Sequence, residues 1–141
     1  MANIVELRGL SDDKIAEMLE EARGEMFNLR FQQAMTRLDD PSQLKRVQRE
    51  IAQFETVLHM RGLATNAATQ QPEIAKALSG VDWHADTRFD YEESAWVVQF
   101  VDKDGKNVAQ AHVDLNVAQP KGTRRQRGRA RNRVLKYEVV G

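Results

Sequence analysis

The chain has 141 residues, a length that suits one domain or two small ones. Its 41% apolar and 30% charged residues are typical of a soluble globular protein. No cysteine is present, which excludes disulfides and thiolate metal sites, and no apolar run approaches the roughly 20 residues that span a bilayer. Because the first residues also lack the features of a signal or transit peptide, we expect a cytoplasmic protein with no membrane contact.

The formal net charge of zero conceals an uneven distribution of charge. Residues 1–63 carry nine Lys or Arg against eleven Asp or Glu, and residues 64–120 carry four against nine. Residues 121–141 carry eight against one. An acidic chain with one concentrated basic segment indicates a polyanionic partner.

The first half is predicted to contain two long helices. Ser11 is a suitable N-cap, and the two aspartates that follow it fit the positive end of a helix dipole. Phe27 and Phe31 add a second apolar stripe, so this helix is more apolar than packing against one partner helix requires. Its main stripe recurs at helical spacing: Ile15, Met18, Leu19, Ala22, Met26 and Leu29.

A turn at residues 39–42 separates the first helix, predicted to end near Leu38, from a second that begins at Pro41 or Ser42. The second helix is predicted to end at Gly62. Two long helices joined by about four residues predict an antiparallel hairpin over residues 1–62. The second helix has an apolar stripe of Leu44, Val47, Ile51, Phe54 and Leu58 and a cationic cluster of Lys45, Arg46 and Arg49.

The second half is predicted to be a small α+β extension. Residues 63–71 are small and polar and are interpreted as a linker to this extension, residues 72–141. Pro72 to Leu78 is predicted to form a short helix with Gly80 after its end. Alternating apolar residues then predict an antiparallel β-meander: Trp96, Val98 and Phe100, then Ala109, Ala111, Val113, Leu115 and Val117, then Leu135, Tyr137 and Val139, with Phe89 and Tyr91 as a candidate fourth strand. The predicted fold class is therefore α+β, a two-helix hairpin followed by a meander with a long Arg-rich loop.

That loop, residues 121–133, holds seven cations, two glycines and no acid. Every second residue from Arg125 to Arg133 is an arginine, and in an extended chain these would share one face at intervals of roughly 6.6 Å. Because the guanidinium fork suits phosphate oxygens, we expect contact with a nucleic-acid backbone, RNA or DNA, recognised by shape. A solvated, disordered loop is the alternative. The candidate binding residues are Lys121, Arg124, Arg125, Arg127, Arg129, Arg131 and Arg133.

Nothing in the sequence supports an enzyme. His59, His84 and His112 have no ligand-spaced companions and are interpreted as solvated surface side chains. Asp102 to Asn107 favours a hairpin turn over a calcium loop. Glycine-rich phosphate loops, nucleophile elbows and metalloprotease motifs are absent. We therefore expect no catalytic residue, metal, cofactor or small-molecule substrate.

Three blocks of the first half carry a family resemblance. They are LRGLS at residues 7–11, EMFNLRFQQA at 25–34, and KRVQREIA at 45–52 followed by TVL at 56–58. In order and spacing, residues 7–61 resemble the ribosomal large-subunit protein L-twenty-nine family.

This resemblance implies a structural role on the large ribosomal subunit, binding rRNA near the polypeptide exit tunnel. It implies neighbouring protein L-twenty-three as a partner, with nascent-chain chaperones or targeting factors as further candidates. The Arg-rich loop would then be a second rRNA anchor that supplies positive charge the hairpin lacks. The alternative hypothesis is a non-ribosomal nucleic-acid-binding adaptor, with the hairpin for protein contact and the loop for nucleic acid. The resemblance places rRNA contact in the hairpin at Arg8, Arg30, Gln32, Lys45, Arg46 and Arg49.

Overall fold

A computed structural model describes residues 3–35, 38–117 and 132–140. Four helices precede four strands, which confirms the α+β class: α1 Ile4–Gly9, α2 Asp12–Ala34, α3 Ser42–Thr69, α4 Pro72–Leu78, β1 Trp83–Asp90, β2 Ala95–Asp102, β3 Asn107–Val113 and β4 Val134–Val139. The chain divides into two compact units, here called the helical unit (Met1–His59) and the sheet unit (Met60–Gly141). None of the described helices is both long enough and apolar enough to cross a membrane.

Helix α2 begins as the sequence predicts and ends slightly earlier. The Ser11 hydroxyl accepts a hydrogen bond from the Lys14 backbone N–H at 3.3 Å, which confirms the N-cap. The helix ends at Ala34 rather than near Leu38. Leu38 is non-helical and packs, partly buried, against the apolar cluster of the helical unit. Its apolar side chain therefore belongs to the core without belonging to the helix.

Helix α3 begins at Ser42 as predicted, but the prediction that it ends at Gly62 is wrong. The Asp40 carboxylate accepts hydrogen bonds from the Ser42 hydroxyl at 2.5 Å and the Ser42 N–H at 2.9 Å, and these bonds lower the pKa of Asp40. At its other end the helix continues to Thr69, so residues 63–69 of the predicted linker are helical. Ala64 and Ala68, one turn apart, are fully buried in the sheet unit. Alanine is the strongest helix former, but its small side chain gives a weak periodic signal.

Three helices supply the core of the helical unit. Leu7 of α1, Ile15 of α2 and Val47 of α3 are fully buried in one apolar cluster. Full burial of such a side chain contributes about 1.5–3 kcal/mol relative to exposure. The buried members are Leu7, Ile15, Leu19, Ala22, Met26, Leu29, Val47, Phe54 and Val57.

The four strands form one antiparallel sheet in the order β1-β2-β3-β4, which confirms the predicted meander. The predicted short helix is also confirmed as α4, and Gly80 follows it with a φ of +76°. Strand β3 ends at Val113 rather than at the predicted Val117, because residues 115–117 form a turn and bend. The inner face of the sheet packs on the end of α3 and on α4 through Ala64, Ala68, Ile74, Leu78, Trp96, Val98, Phe100, Ala109, Ala111 and Val113.

Candidate nucleic-acid interface

Side chains of α2 and α3 line an open groove of about 360 Å³ in the helical unit. Met26 is buried and Ile51 is half-buried, so these two side chains form an apolar floor. Phe27 also lines the groove and is 71% exposed. The remaining lining groups are two guanidinium groups and one amide, from Arg23, Arg30 and Gln48. The groove therefore combines apolar surface with positive charge.

The two arginines of the groove differ in how far their charge is neutralised. Arg23 donates to Glu20 at 2.7 Å and to Glu55 at 2.9 Å, and these bonds, that to Glu55 above all, raise its pKa. Arg30 is exposed and makes no ion pair with any described residue. Arg30 is therefore the lining group with charge available to an external anion.

Helix α3 adds further exposed cations beside the groove. Lys45 and Arg49 make no ion pair within the described parts of the chain, whereas Arg46 donates to Glu25 at 3.1 Å. Lys45 precedes the groove residue Gln48 by three positions, which places the two on neighbouring turns of one helix face. The predicted Lys45–Arg49 cluster thus contains two uncompensated charges and one that an acid on α2 partly neutralises.

The other predicted contacts of the helical unit lie apart from the groove lining. Arg8 is half-buried in the last turn of α1, where a cation is favoured by the negative end of the helix dipole. Gln32 is exposed on α2. The sequence alone does not mark Arg23 or Gln48 as groove residues, although the second stripe of Phe27 and Phe31 indicates apolar surface beyond what the core uses.

Most of the Arg-rich loop lies outside the described residues. This applies to Lys121, Arg124, Arg125, Arg127, Arg129 and Arg131. Arg133 is described: it is half-buried just before β4, and its carbonyl accepts a hydrogen bond from the Asp114 N–H at 2.8 Å.

The sheet unit contains a polar network that the sequence did not predict. Glu93 accepts a hydrogen bond from Lys136 Nζ at 2.6 Å and pairs with His112 Nδ1 at 2.7 Å. The bond from Lys136, followed by that from His112, lowers the pKa of Glu93. The interpretation of His112 as solvated is wrong, because its side chain is only 15% exposed, whereas His59 and His84 are exposed as expected. Within the described ranges no group of His, Asp or Glu is arranged to hold a metal.

Comparison with known proteins identifies the family. A model of the family described as Ribosomal L29 protein matches residues 5–61. The large ribosomal subunit protein uL29 of Thermobifida fusca is 48% identical over 73 residues, which cover 50% of this chain and 86% of that protein. The chain belongs to the ribosomal L29 family. The uL29 protein of Rhizorhabdus wittichii is 45% identical over 64 residues, which cover 45% of this chain and 96% of that protein. The uL29 protein of Mycobacterium tuberculosis is 50% identical over 62 residues, which cover 43% of this chain and 80% of that protein.

Membership of the L29 family confirms the resemblance found in the sequence. The family is structural and non-enzymatic, and the adaptor hypothesis is not favoured. The family match covers α1 from Val5, all of α2, and α3 as far as Arg61, so all four strands lie beyond it. No solved structure matches the chain.

Proposed function

We propose that this protein is a structural component of the large ribosomal subunit and that its helical unit binds rRNA near the polypeptide exit tunnel. The observation that carries this proposal is the L29 family match over residues 5–61. The relatives named above are large-subunit proteins, and the chain covers 80% to 96% of their length. The protein therefore acts on the ribosome in the cytoplasm, without catalysis or a cofactor.

The fold that presents this surface is the predicted antiparallel hairpin of α2 and α3. The two helices contribute to one apolar cluster, and the Arg23–Glu55 and Arg46–Glu25 ion pairs join them. Residues 35–41 connect them and reach at most about 25 Å when extended. Helix α2, with 23 residues, is about 34 Å long. A parallel arrangement would need a connection as long as α2, so the short connection supports the antiparallel one.

The free cations of the helical unit are the best-supported rRNA contacts. Arg30, Lys45 and Arg49 are exposed and unpaired among the described residues, so phosphate contact displaces no internal acid. Arg46 contributes less, because Glu25 already neutralises part of its charge. Arg8 and Gln32 are proposed as further contacts on the family resemblance.

The Arg-rich loop is proposed as the second rRNA anchor. Its seven cations and absence of acid, in a chain that is otherwise net acidic, support this role. The four-stranded sheet from which it extends is absent from the matched region, so the sheet unit would be an addition that delivers this loop to the subunit. Protein L-twenty-three is proposed as a neighbour, with nascent-chain chaperones or targeting factors docking nearby.

Co-sedimentation tests the ribosomal role. Large subunits from cells that express the tagged full chain are run through a sucrose gradient at moderate salt. We expect the chain to comigrate with the large subunit at a constant ratio near one to one. Release from the subunit at moderate salt would contradict the role and support a loosely bound adaptor.

Salt dependence of binding tests the second anchor separately. The loop 121–133 is replaced by a Gly/Ser segment of equal length, and affinity for large subunits lacking the protein is measured at several salt concentrations. The slope of log affinity against log salt should fall by about 0.7–0.9 for each rRNA phosphate that the native loop neutralises. As a matched control, a Lys45→Gln, Arg49→Gln double variant should reduce the slope through the helical unit alone. An unchanged slope in the loop variant would refute the second anchor and leave the family role intact.

A further inference from the structure

We propose that the groove between α2 and α3 holds one unpaired base of the rRNA, stacked on Phe27, with the phosphate of that nucleotide on Arg30. This inference rests on the proposed ribosomal function and names the chemical group that this part of the surface takes.

The exposure of Phe27 is the first observation behind the proposal. The residue is 71% exposed, although the same helix buries five apolar side chains in the core. The buried Met26 and half-buried Ile51 continue this apolar surface into the groove. A flat ligand against Phe27 would therefore remove both the ring and the groove floor from water.

The charge of the groove is the second observation. None of its six lining side chains is a carboxylate, and Arg30 has no ion-pair partner among the described residues. Arg23, in contrast, is occupied by Glu20 and Glu55. An anion can thus bind Arg30 without breaking an existing ion pair. The exposed Lys45, one turn from Gln48, extends the positive charge along the path of a continuing backbone.

A single nucleotide fits this combination better than a protein side chain does. It carries a flat aromatic base and a phosphate on one unit, and unpaired bases commonly stack on aromatic side chains and arginines. The amide of Gln48 offers both donors and an acceptor to a base edge. A volume of about 360 Å³ suits one ring-bearing group rather than a helix. Paired bases stay stacked within a duplex, so the RNA at this site is single-stranded.

Substitution at Phe27 tests the stacking. Full-length Phe27→Leu and Phe27→Tyr variants are titrated against large subunits that lack the protein. We expect Phe27→Leu to bind about tenfold more weakly, because it keeps an apolar group but has no ring, and Phe27→Tyr to bind like the native chain. The exposed position leaves folding intact, which helical circular dichroism verifies. Native affinity in Phe27→Leu would overturn the proposal.

Phe31→Leu is the matched control, because Phe31 lies one turn later on α2, is 61% exposed and does not line the groove. We expect it to bind like the native chain. A decrease in affinity as large as that of Phe27→Leu would overturn the assignment to the groove.

Photo-crosslinking identifies the class of ligand. p-Benzoylphenylalanine replaces Phe27 in the full chain, and the cross-linked large subunits are analysed for RNA and protein adducts. We expect an adduct to one single-stranded rRNA nucleotide, and an adduct to a ribosomal protein instead would overturn the proposal. If the native chain fails to comigrate with the large subunit, the ribosomal function itself is contradicted; comigration with a protein adduct contradicts only the base-binding groove.

Discussion

The sheet unit packs several aromatic rings against one another, whereas the helical unit buries Phe54 in its core and leaves Phe27 exposed. In the sheet unit, Phe89 and Trp96 pack edge to face with their ring centroids 5.1 Å apart, and Trp83 and Phe100 do so with centroids 5.2 Å apart. In the helical unit, Phe27 is largely exposed and makes no ring contact with another described residue. The sheet unit therefore uses its rings to stabilise itself, whereas the helical unit leaves a ring available to a partner.

Positive charge is partly neutralised in both units. In the sheet unit, Lys103 pairs with Asp82 and Lys136 with Glu93, while Lys76 and Lys106 make no ion pair with a described residue. In the helical unit, Arg30, Lys45 and Arg49 have no such partner among the described residues. Self-neutralised charge contributes little to anion binding, while uncompensated charge does so directly. The helical unit differs in that one such cation, Arg30, lines the same groove as the exposed Phe27.

The largest expected effect comes from truncating one buried aromatic side chain in the core of each unit. Phe100 is fully buried in the sheet unit and Phe54 is 4% exposed in the helical unit. We expect Phe100→Ala to lower the free energy of unfolding of the sheet unit by about 3–5 kcal/mol while the helical unit still binds large subunits. Phe54→Ala should destabilise the helical unit to a similar extent and weaken that binding.

Tryptophan fluorescence during urea unfolding measures this separation, because both tryptophans, Trp83 and Trp96, lie in the sheet unit. Phe100→Ala should lower the midpoint of the fluorescence transition, and Phe54→Ala should leave it nearly unchanged. An equal shift in both variants would show that the two cores unfold as one.

Substitution of two glycines should change the free energy of unfolding by a smaller amount, with opposite sign in the two units. Gly24 lies inside α2, and a Cβ added there would meet no atom within 4 Å. Gly24→Ala should therefore raise the free energy of unfolding of the helical unit by about 1 kcal/mol. Gly105, in the turn between β2 and β3, has a φ of +82°. Gly105→Ala should destabilise the sheet unit by about 1–2 kcal/mol, since this conformation is strained for L-residues.

Urea titrations measure both changes. Circular dichroism at 222 nm follows the unfolding of Gly24→Ala, and tryptophan fluorescence follows that of Gly105→Ala. A destabilised Gly24→Ala protein would mean that α2 needs the glycine for a contact absent from the described residues.

The smallest expected effect concerns pH and the Glu93 network. The pKa of Glu93 lies below its ordinary value of 4.5, chiefly through the hydrogen bond from Lys136. The corresponding stabilisation of the sheet unit is complete above that ordinary value and is lost as pH falls through the lowered pKa. Glu93→Gln should flatten the pH dependence of the fluorescence midpoint below about pH 4.5. Glu92 makes no ion pair with a described residue, so the control Glu92→Gln should leave the pH dependence of the midpoint unchanged. Equal flattening in both variants would show that the ion pairs of Glu93 are not its cause.

Local signals in the sequence predicted much of the fold. The Ser11 cap, the start of α3, the short helix α4 and the alternating strands were all recognisable, because caps, prolines and strict periodicity act over a few residues. The end of α3 was not, because Ala64 and Ala68 look unremarkable until a sheet buries them. Of the candidate site, the sequence identified Arg30 on α2 and the Lys45–Arg49 cluster on α3. It did not show that Gln48, within that cluster, lines one groove together with side chains of α2.

The sequence by itself determined the family, the α+β class and the uneven charge, since all three follow from residue order alone. Only the tertiary structure decided which cations are paired between helices. Arg23 and Arg30 are both arginines on α2, and residue order already gives Arg23 a local partner in Glu20, three residues earlier. Its second partner, Glu55, lies 32 residues beyond Arg23 on α3, while Arg30 pairs with no described acid. An ion pair between two helices depends on distance in space, which packing of the helices sets and residue order does not.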